Sequence, residues 1–428
     1  MSNNNQQKLA TRAIHAGAVP DPTTGARGVP IFQSTSFVFE DVEDAAALFN
    51  LEKVGFIYSR LTNPTVNTLQ ARIADLEGGV GATCTASGHS AQLLTLFGLL
   101  KSGDDFVSSN KLYGGSITQF GHTFKRLGWN VIFVDPGDPE NFRKAITPNT
   151  KAIFTESLAN PGGIICDIEA IANIAHDARI PCIVDNTMAP PDLCKPFDYG
   201  VDLIVHSTTK FLSGHGNAIG GVVVDSGKFD WTQNNKFTNI TEPCAAYHGL
   251  NFYEQFGEMA FTIYSHAVGL RDLGPAMSPM NAYLTLIGIE TLPLRMQCHN
   301  QNALQVAKWL EQDDRVSWVS YAGLASSPYH DLAKKYVPNG AGAVFTFGVK
   351  GGYEMGIKVV EGCKLFSHLA NIGDTRSLII HPASTTHRQL TDEQKVSAGA
   401  GPDVVRLSVG LEGVEDIIAD LDQALASA

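Results

Sequence analysis

Residues 152–185 read AIFTESLANPGGIICDIEAIANIAHDARIPCIVD. Ala152-Ile-Phe-Thr and Cys182-Ile-Val-Asp are short apolar runs of strand length. Between them, Ile168-Glu-Ala-Ile-Ala-Asn-Ile-Ala-His-Asp-Ala sets apolar residues at helical spacing. Strand, helix, strand with buried runs predicts parallel strands joined by a crossover helix, in a sheet covered on both faces. The same alternation extends outward through Phe106-Val-Ser-Ser, Val131-Ile-Phe-Val, Leu203-Ile-Val-His and Ile219-Gly-Gly-Val-Val-Val. Ser116 to Leu127 carries a weaker helical pattern, and Gly78 to Leu100 reads as a strand, a turn and a buried helix from Ala91. The expected class is therefore α/β with a mostly parallel central sheet.

The length of 428 residues allows two or three domains. Only 17% of residues are charged, so much surface is expected to be buried in a homo-oligomer. With 31 Lys+Arg against 43 Asp+Glu, the net charge of -12 argues against nucleic acid or an anionic membrane as partner. Small solutes are the expected partners. The opening Met1-Ser-Asn-Asn-Asn-Gln-Gln has neither signal nor anchor character, and no membrane-spanning run follows, so a cytoplasmic location is expected. The seven cysteines show no C-x-x-C and no clustering with histidine; they read as reduced packing thiols, and no metal site is expected.

In parallel α/β sheets, ligands bind outside the carboxyl ends of the strands. Three runs end in polar residues: Glu156 to Asn160, Asp185-Asn186, and Ser207-Thr-Thr209-Lys210. Two hydroxyls, an amine, a carboxylate and an amide are thus expected in one crevice. A lysine there is either paired with a carboxylate or a reactive amine, for instance a Schiff-base former. Ser207 and Thr209 beside it suit a phosphate carried by a carbonyl cofactor, and pyridoxal phosphate fits best. It needs a lysine for its aldehyde, a carboxylate for its ring nitrogen, a phosphate cup and an aromatic face. Asp185 is the candidate carboxylate, although a capping role would also account for it. Ser87-Gly88-His89-Ser90 before a helix is the candidate cup. Tyr113 offers the aromatic face, with burial in the core as its alternative reading.

The stretch Asp202-Leu-Ile-Val-His-Ser207-Thr-Thr-Lys210-Phe-Leu-Ser-Gly214-His-Gly resembles the lysine motif of the Cys/Met metabolism family of pyridoxal-phosphate enzymes, which have the fold type I (aspartate aminotransferase-like) architecture. The resemblance runs over nearly the whole chain, through Tyr58-Ser-Arg60, Asn63-Pro-Thr, Ser87-Gly88, Leu112-Tyr113-Gly, Glu156, Asn160-Pro, Asp185-Asn, His381-Pro-Ala-Ser and Val405-Arg406-Leu-Ser. It implies that Lys210 bonds the cofactor and shuttles protons, that Tyr113 stacks on the ring and acts in acid/base transfer, and that Asp185 meets the ring nitrogen. It further implies Asn160 at the phenolic oxygen, and phosphate contacts from Ser207, Thr209, Gly88 and His89. Tyr58 and Arg60 would come from a neighbouring subunit. Arg406, with Ser377 beside it, would take the substrate carboxylate. His89 departs from the Met or Gln expected there.

Within the family, Glu242 to Gly257, Leu270 to Gly274 and Gly288 to Met296 are similar to the branch that exchanges the acetate of O-acetylhomoserine for sulfide or methanethiol. Cystathionine-forming and γ-lyase activities are the alternatives, and Gly115, where lyases carry Cys, disfavours the last. The insertion at Glu242 to Gly257 is expected to narrow the entrance. The resemblance implies a tetramer, a dimer of dimers with shared sites. An N-terminal arm is expected over 1–60, a cofactor domain over 61–265 and a smaller C-terminal α/β domain over 266–428. Two other motif readings are weak. Ser207-x-x-Lys210 ends a strand instead of opening a helix, and Gly214 to Gly220 precedes a strand where a dinucleotide loop precedes a helix.

Overall fold

The structure, a computed structural model, describes residues 7–159, 163–386, 388, 391–397 and 399–428. The apolar runs form a seven-stranded sheet from β1 (Gly81–Thr85), β2 (Asp105–Ser109), β3 (Asn130–Val134), β4 (Thr150–Glu156), β7 (Cys182–Asp185), β8 (Leu203–His206) and β9 (Gly221–Asp225). The short β5 (Leu158–Ala159) and β6 (Ile164–Ile165) pair with each other. The order is β1-β9-β8-β7-β4-β2-β3. The strands from β3 to β8 are parallel; β9 and β1 add antiparallel pairings at one side.

Side chains alternate faces along each strand, and the core divides accordingly. Ile153, Val184, Ile204 and Val222 join one apolar cluster with Leu69, Ile73 and Ile171 of the helices Pro64–Glu77 and Ile168–Asp177. Their neighbours Phe154, Ile183, Val205 and Val223 join the other, with Ala91 and Leu94 of the helix Gly88–Phe97. Burying each of the Val, Leu, Ile and Phe side chains among these contributes about 1.5–3 kcal/mol. Burial on both faces is why these runs lack the alternating polar residues of a solvated sheet.

The C-terminal part carries β10 (Val316–Ser320), β11 (Val344–Val349), β12 (Ser367–His368), β13 (Leu378–Ile380) and β14 (Val404–Ser408) in the order β10-β11-β14-β13-β12. All pairs except β12/β13 are antiparallel.

Local chemistry moves three boundaries. The helix expected from Ala91 starts at Gly88, because the Ser87 hydroxyl caps it by accepting the Ser90 N–H at 3.1 Å. The pattern over Ser116 to Leu127 is not one helix: an α-turn Gly114–Thr118 passes into a wide turn Gln119–Thr123 and a tight one, Phe124–Leu127, closed by Gly128 at φ 79°. Gly121 and two threonines make that stretch a poor regular helix. Finally, β8 stops at His206, so Ser207 to Lys210 lie in the turn that follows the strand.

Candidate active site

The polar residues beyond β4, β7 and β8 gather with the loops around Gly88, Tyr113 and Asn371. Lys210, half-buried, donates from Nζ to Asn371 Oδ1 at 2.5 Å. Burial, and then the charge of Arg406, lower its pKa from 10.5 to about 8. At pH 7 that leaves roughly one amine in ten neutral, about 300-fold more than an unperturbed lysine. Arg406 lies on β14 between Thr346 and Ile380, 7% exposed, and donates from Nη2 to the Asn371 carbonyl at 3.3 Å. Burial lowers its pKa to about 10, which leaves it charged at neutrality. Tyr113 also acts electrostatically on Arg406, and its own N–H donates to Glu156 Oε1 at 2.7 Å.

Asp185, at the end of β7, accepts the Thr187 N–H on Oδ1 at 3.0 Å and Gln92 Nε2 on Oδ2 at 3.3 Å. Gln92 stands one turn beyond Gly88 and also donates to Ser116 Oγ at 2.9 Å. Asp185 is 9% exposed and makes no ion pair among the described residues, so this buried carboxylate lacks a cation. A Cβ on Gly88 would stand 2.8 Å from Ser207 Cβ, and one on Gly221 would collide with Ser87 O at 2.1 Å. The glycines thus bring the helix N-terminus against the Ser207 turn. Its first N–H groups have no partner within the helix and suit an anion. Thr209 Oγ1 accepts the Gly220 N–H at 3.1 Å. The rings of His89 and Tyr113 lie 6.0 Å apart with planes 30° from parallel.

The other expected residues are placed differently. Tyr58 and Arg60 are exposed, with the Arg60 guanidinium 5.5 Å over the Tyr58 ring. Arg60 donates to the Arg271 carbonyl, and among the described residues no hydrogen bond or ion pair joins either to Gly88, His89, Ser207 or Thr209 of the same chain. Ser377 is fully buried, and its hydroxyl donates to Glu412 Oε2 at 2.9 Å while accepting the Gly410 N–H at 2.9 Å. It braces the end of β14 instead of opening toward Arg406. Asn160 lies outside the described residues. The insertion Glu242 to Gly257 packs on the 260–271 segment, through Tyr247 Oη to Ala267 O at 2.7 Å and Arg271 Nη1 to Tyr247 Oη at 2.8 Å. The Arg271 carbonyl also accepts from Arg60.

Asn371 and Gln92 escaped the sequence reading. Asn371 stands 161 residues from Lys210 in the loop Leu369-Ala-Asn-Ile-Gly373, with no local pattern to mark it. Gln92 carried a signal, lying four residues after Gly88 on the same helix face.

A buried carboxylate with no ion pair among the described residues, a helix N-terminus lined by hydroxyls, an aromatic face and an amine lowered to about 8 fit a phosphorylated pyridoxal group. Comparison with known proteins agrees. The chain is 50% identical over 427 residues to the O-acetyl-L-homoserine sulfhydrylase of Leptospira meyeri, covering 98% of this chain and 96% of that one. It is 48% identical to the homocysteine synthase of Schizosaccharomyces pombe, covering 98% of each. A crystal structure from Campylobacter jejuni, which carries N'-pyridoxyl-lysine-5'-monophosphate, superposes with a TM-score of 0.95 at 43% identity, over 98% of this chain and 100% of that one. The family profile for Cys/Met metabolism PLP-dependent enzymes matches residues 10–426, and the chain belongs to that family, with pyridoxal phosphate as its cofactor.

Proposed function

We propose that this enzyme replaces the acetate of O-acetyl-L-homoserine by sulfide, or by methanethiol, to give L-homocysteine or methionine. The observation that carries the reading is the cluster of Lys210 and Arg406 on the two sides of Asn371, facing Tyr113. Both side chains bond the same residue, which supports a base and a carboxylate clamp acting on one amino acid. The names of the relatives, two of them homoserine sulfhydrylases or homocysteine synthases at 48–50% identity, support the substrate.

Lys210 would hold the cofactor's aldehyde, Asp185 its ring nitrogen and Tyr113 its face. The N–H groups of Gly88 and His89 with Ser207 and Thr209 would hold its phosphate. When bound, pyridoxal phosphate supplies a sink for the charge left on a substrate carbon that loses a proton. Arg406 binds the substrate carboxylate, bidentate in the geometry that guanidinium favours. Lys210, lowered toward neutrality, takes protons from the substrate carbons and returns them. In the net reaction the Cγ–O bond breaks, acetate leaves, and the Cγ–S bond forms from hydrosulfide. Sulfide needs no second clamp, whereas cysteine would need one for its own carboxylate.

We extend this reading to a cytoplasmic homotetramer, a dimer of dimers in which Tyr58 and Arg60 complete the neighbouring subunit's phosphate cup. Their exposure, and their separation from the cup of their own chain, support it. In this division of labour the arm is 1–60, the cofactor domain 61–265 and the C-terminal domain 266–428. Product analysis tests the reaction. Purified protein with O-acetylhomoserine should yield homocysteine and acetate with sulfide, and little cystathionine with cysteine. Equal kcat/KM for the two thiols would make it a cystathionine synthase, and rapid 2-oxobutyrate without thiol a γ-lyase.

A further inference from the structure

Beneath the candidate site lies a second polar row that the reaction does not use. Strand pairing sets Glu156 beside Asp185 and Asp185 beside Val205. Because faces alternate, the next residues along, Ser157 and Asn186, turn to the opposite face, and His206 follows Val205 in the same way. Ser157 Oγ donates to Asn186 Oδ1 at 2.7 Å, and Asn186 Nδ2 donates to Glu77 Oε1 at 3.1 Å. That same Glu77 oxygen meets His206 Nε2 at 2.5 Å. Glu77 ends the helix Pro64–Glu77, and all four residues are at most 3% exposed.

Each strand member of this row adjoins a candidate site element. Ser157 follows Glu156, which takes the Tyr113 N–H. Asn186 follows Asp185, and His206 precedes Ser207 in the turn that ends at Lys210. Among the described residues Glu77 Oε2 and His206 Nδ1 have no hydrogen-bond partner, so one shared oxygen ties the Asn186 and His206 side chains to the helix end, alongside the bonds from Asn186 N–H to Val205 O at 2.9 Å and from Ser207 N–H to Thr187 Oγ1 at 2.8 Å that join the two strand ends directly. A buried carboxylate costs stability unless its bonds are made. The bonds of this row each require a set geometry, so burying these polar groups fixes the orientation of the strand ends that carry them.

We infer that Glu77, acting through His206 and Asn186, is a positioning residue that sets Asp185 relative to the Ser207–Lys210 turn. The inference rests on the cofactor site described above. Asp185 is reached through one peptide unit from Asn186, and Lys210 through the turn from His206. A slip of this row therefore changes both the carboxylate at the ring nitrogen and the amine at the aldehyde. A packing role alone would lower the stability of the protein and leave its cofactor chemistry intact.

The test compares wild type with Glu77→Gln, which keeps shape and one acceptor, and with Ser157→Ala, which removes only the far end of the row. Three quantities are measured on each: thermal midpoint without cofactor, affinity for pyridoxal phosphate by absorbance titration, and the pH midpoint of the visible band of the lysine-bound cofactor. Glu77→Gln should weaken cofactor binding about tenfold, equivalent to about 1.4 kcal/mol, and displace the band's pH midpoint. Ser157→Ala should do both to a smaller degree. A lowered thermal midpoint with unchanged affinity and unchanged pH midpoint in both variants would overturn the inference. If Glu77→Gln does not fold, Ser157→Ala alone decides it on the same two readouts. A wild-type protein without a visible band that depends on Lys210 would instead overturn the site reading.

Discussion

Asn371→Ala isolates the contact that holds the amine of Lys210. The side-chain amide accepts from Nζ at 2.5 Å, whereas Arg406 bonds the Asn371 main-chain carbonyl, so truncation removes the first bond and spares the second. A hydrogen bond from an ammonium to a neutral acceptor contributes about 1.5–3 kcal/mol and favours the charged form. At 1.36 kcal/mol per pH unit, its loss should lower the Lys210 pKa by about one to two units. In the cofactor-free protein, only the neutral amine captures the aldehyde. Capture at pH 7, followed by the growth of the visible band, should therefore become faster in the variant, and its pH midpoint should move down. Turnover should fall, because the amine that is free between proton transfers has lost its orientation. A midpoint that stays or rises, with unaltered kcat, would refute the assignment of Asn371 as the partner that holds this base.

Lys210→Ala should fold and still bind pyridoxal phosphate, but lose the visible band of the lysine-bound cofactor and nearly all turnover; a borohydride-reducible linkage persisting at the site would contradict this. Mixing and refolding an Arg60→Ala protein with a Lys210→Ala protein should restore part of the activity through hybrid sites, and assembly without any recovery would exclude sites shared between subunits. Asp225, fully buried and bonded to the Gly227 N–H and Thr262, has its pKa raised from 3.8 to about 7, first by burial. Its folded value lies above the unfolded one, so the stability it contributes is fully present below about pH 4 and is lost as pH rises through 7, with a ceiling of about 4 kcal/mol. Asp225→Asn should flatten that fall in the urea midpoint, and an identical pH profile in the variant would count against it.

How much could be read in advance depends on the range of the physics involved. Burial on both faces leaves its mark along a single strand, so the runs at Ala152, Cys182 and Leu203 announce a parallel α/β sheet one segment at a time. The chemistry at strand ends is equally local: Asp185, Ser207, Thr209 and Lys210 stand within a few residues of the apolar runs that carry them, in a motif specific enough to name the family. Helix regularity was less legible, since Gly121 and the threonines break Gln119 to Leu127 into turns that an apolar pattern does not reveal.

The tertiary structure alone decided which distant groups meet. Asn371 reaches Lys210 across 161 residues, and Glu77 reaches His206 across 129. It also decided that the Ser377 hydroxyl turns to Glu412 and Gly410, and that Tyr58 and Arg60 stand apart from the cup of their own chain. The reason is that composition and periodicity report what a residue needs, burial or water, turn or strand. A polar group's partner is set by packing the two sheets and their helices together, and nothing in the spacing of the chain records that meeting.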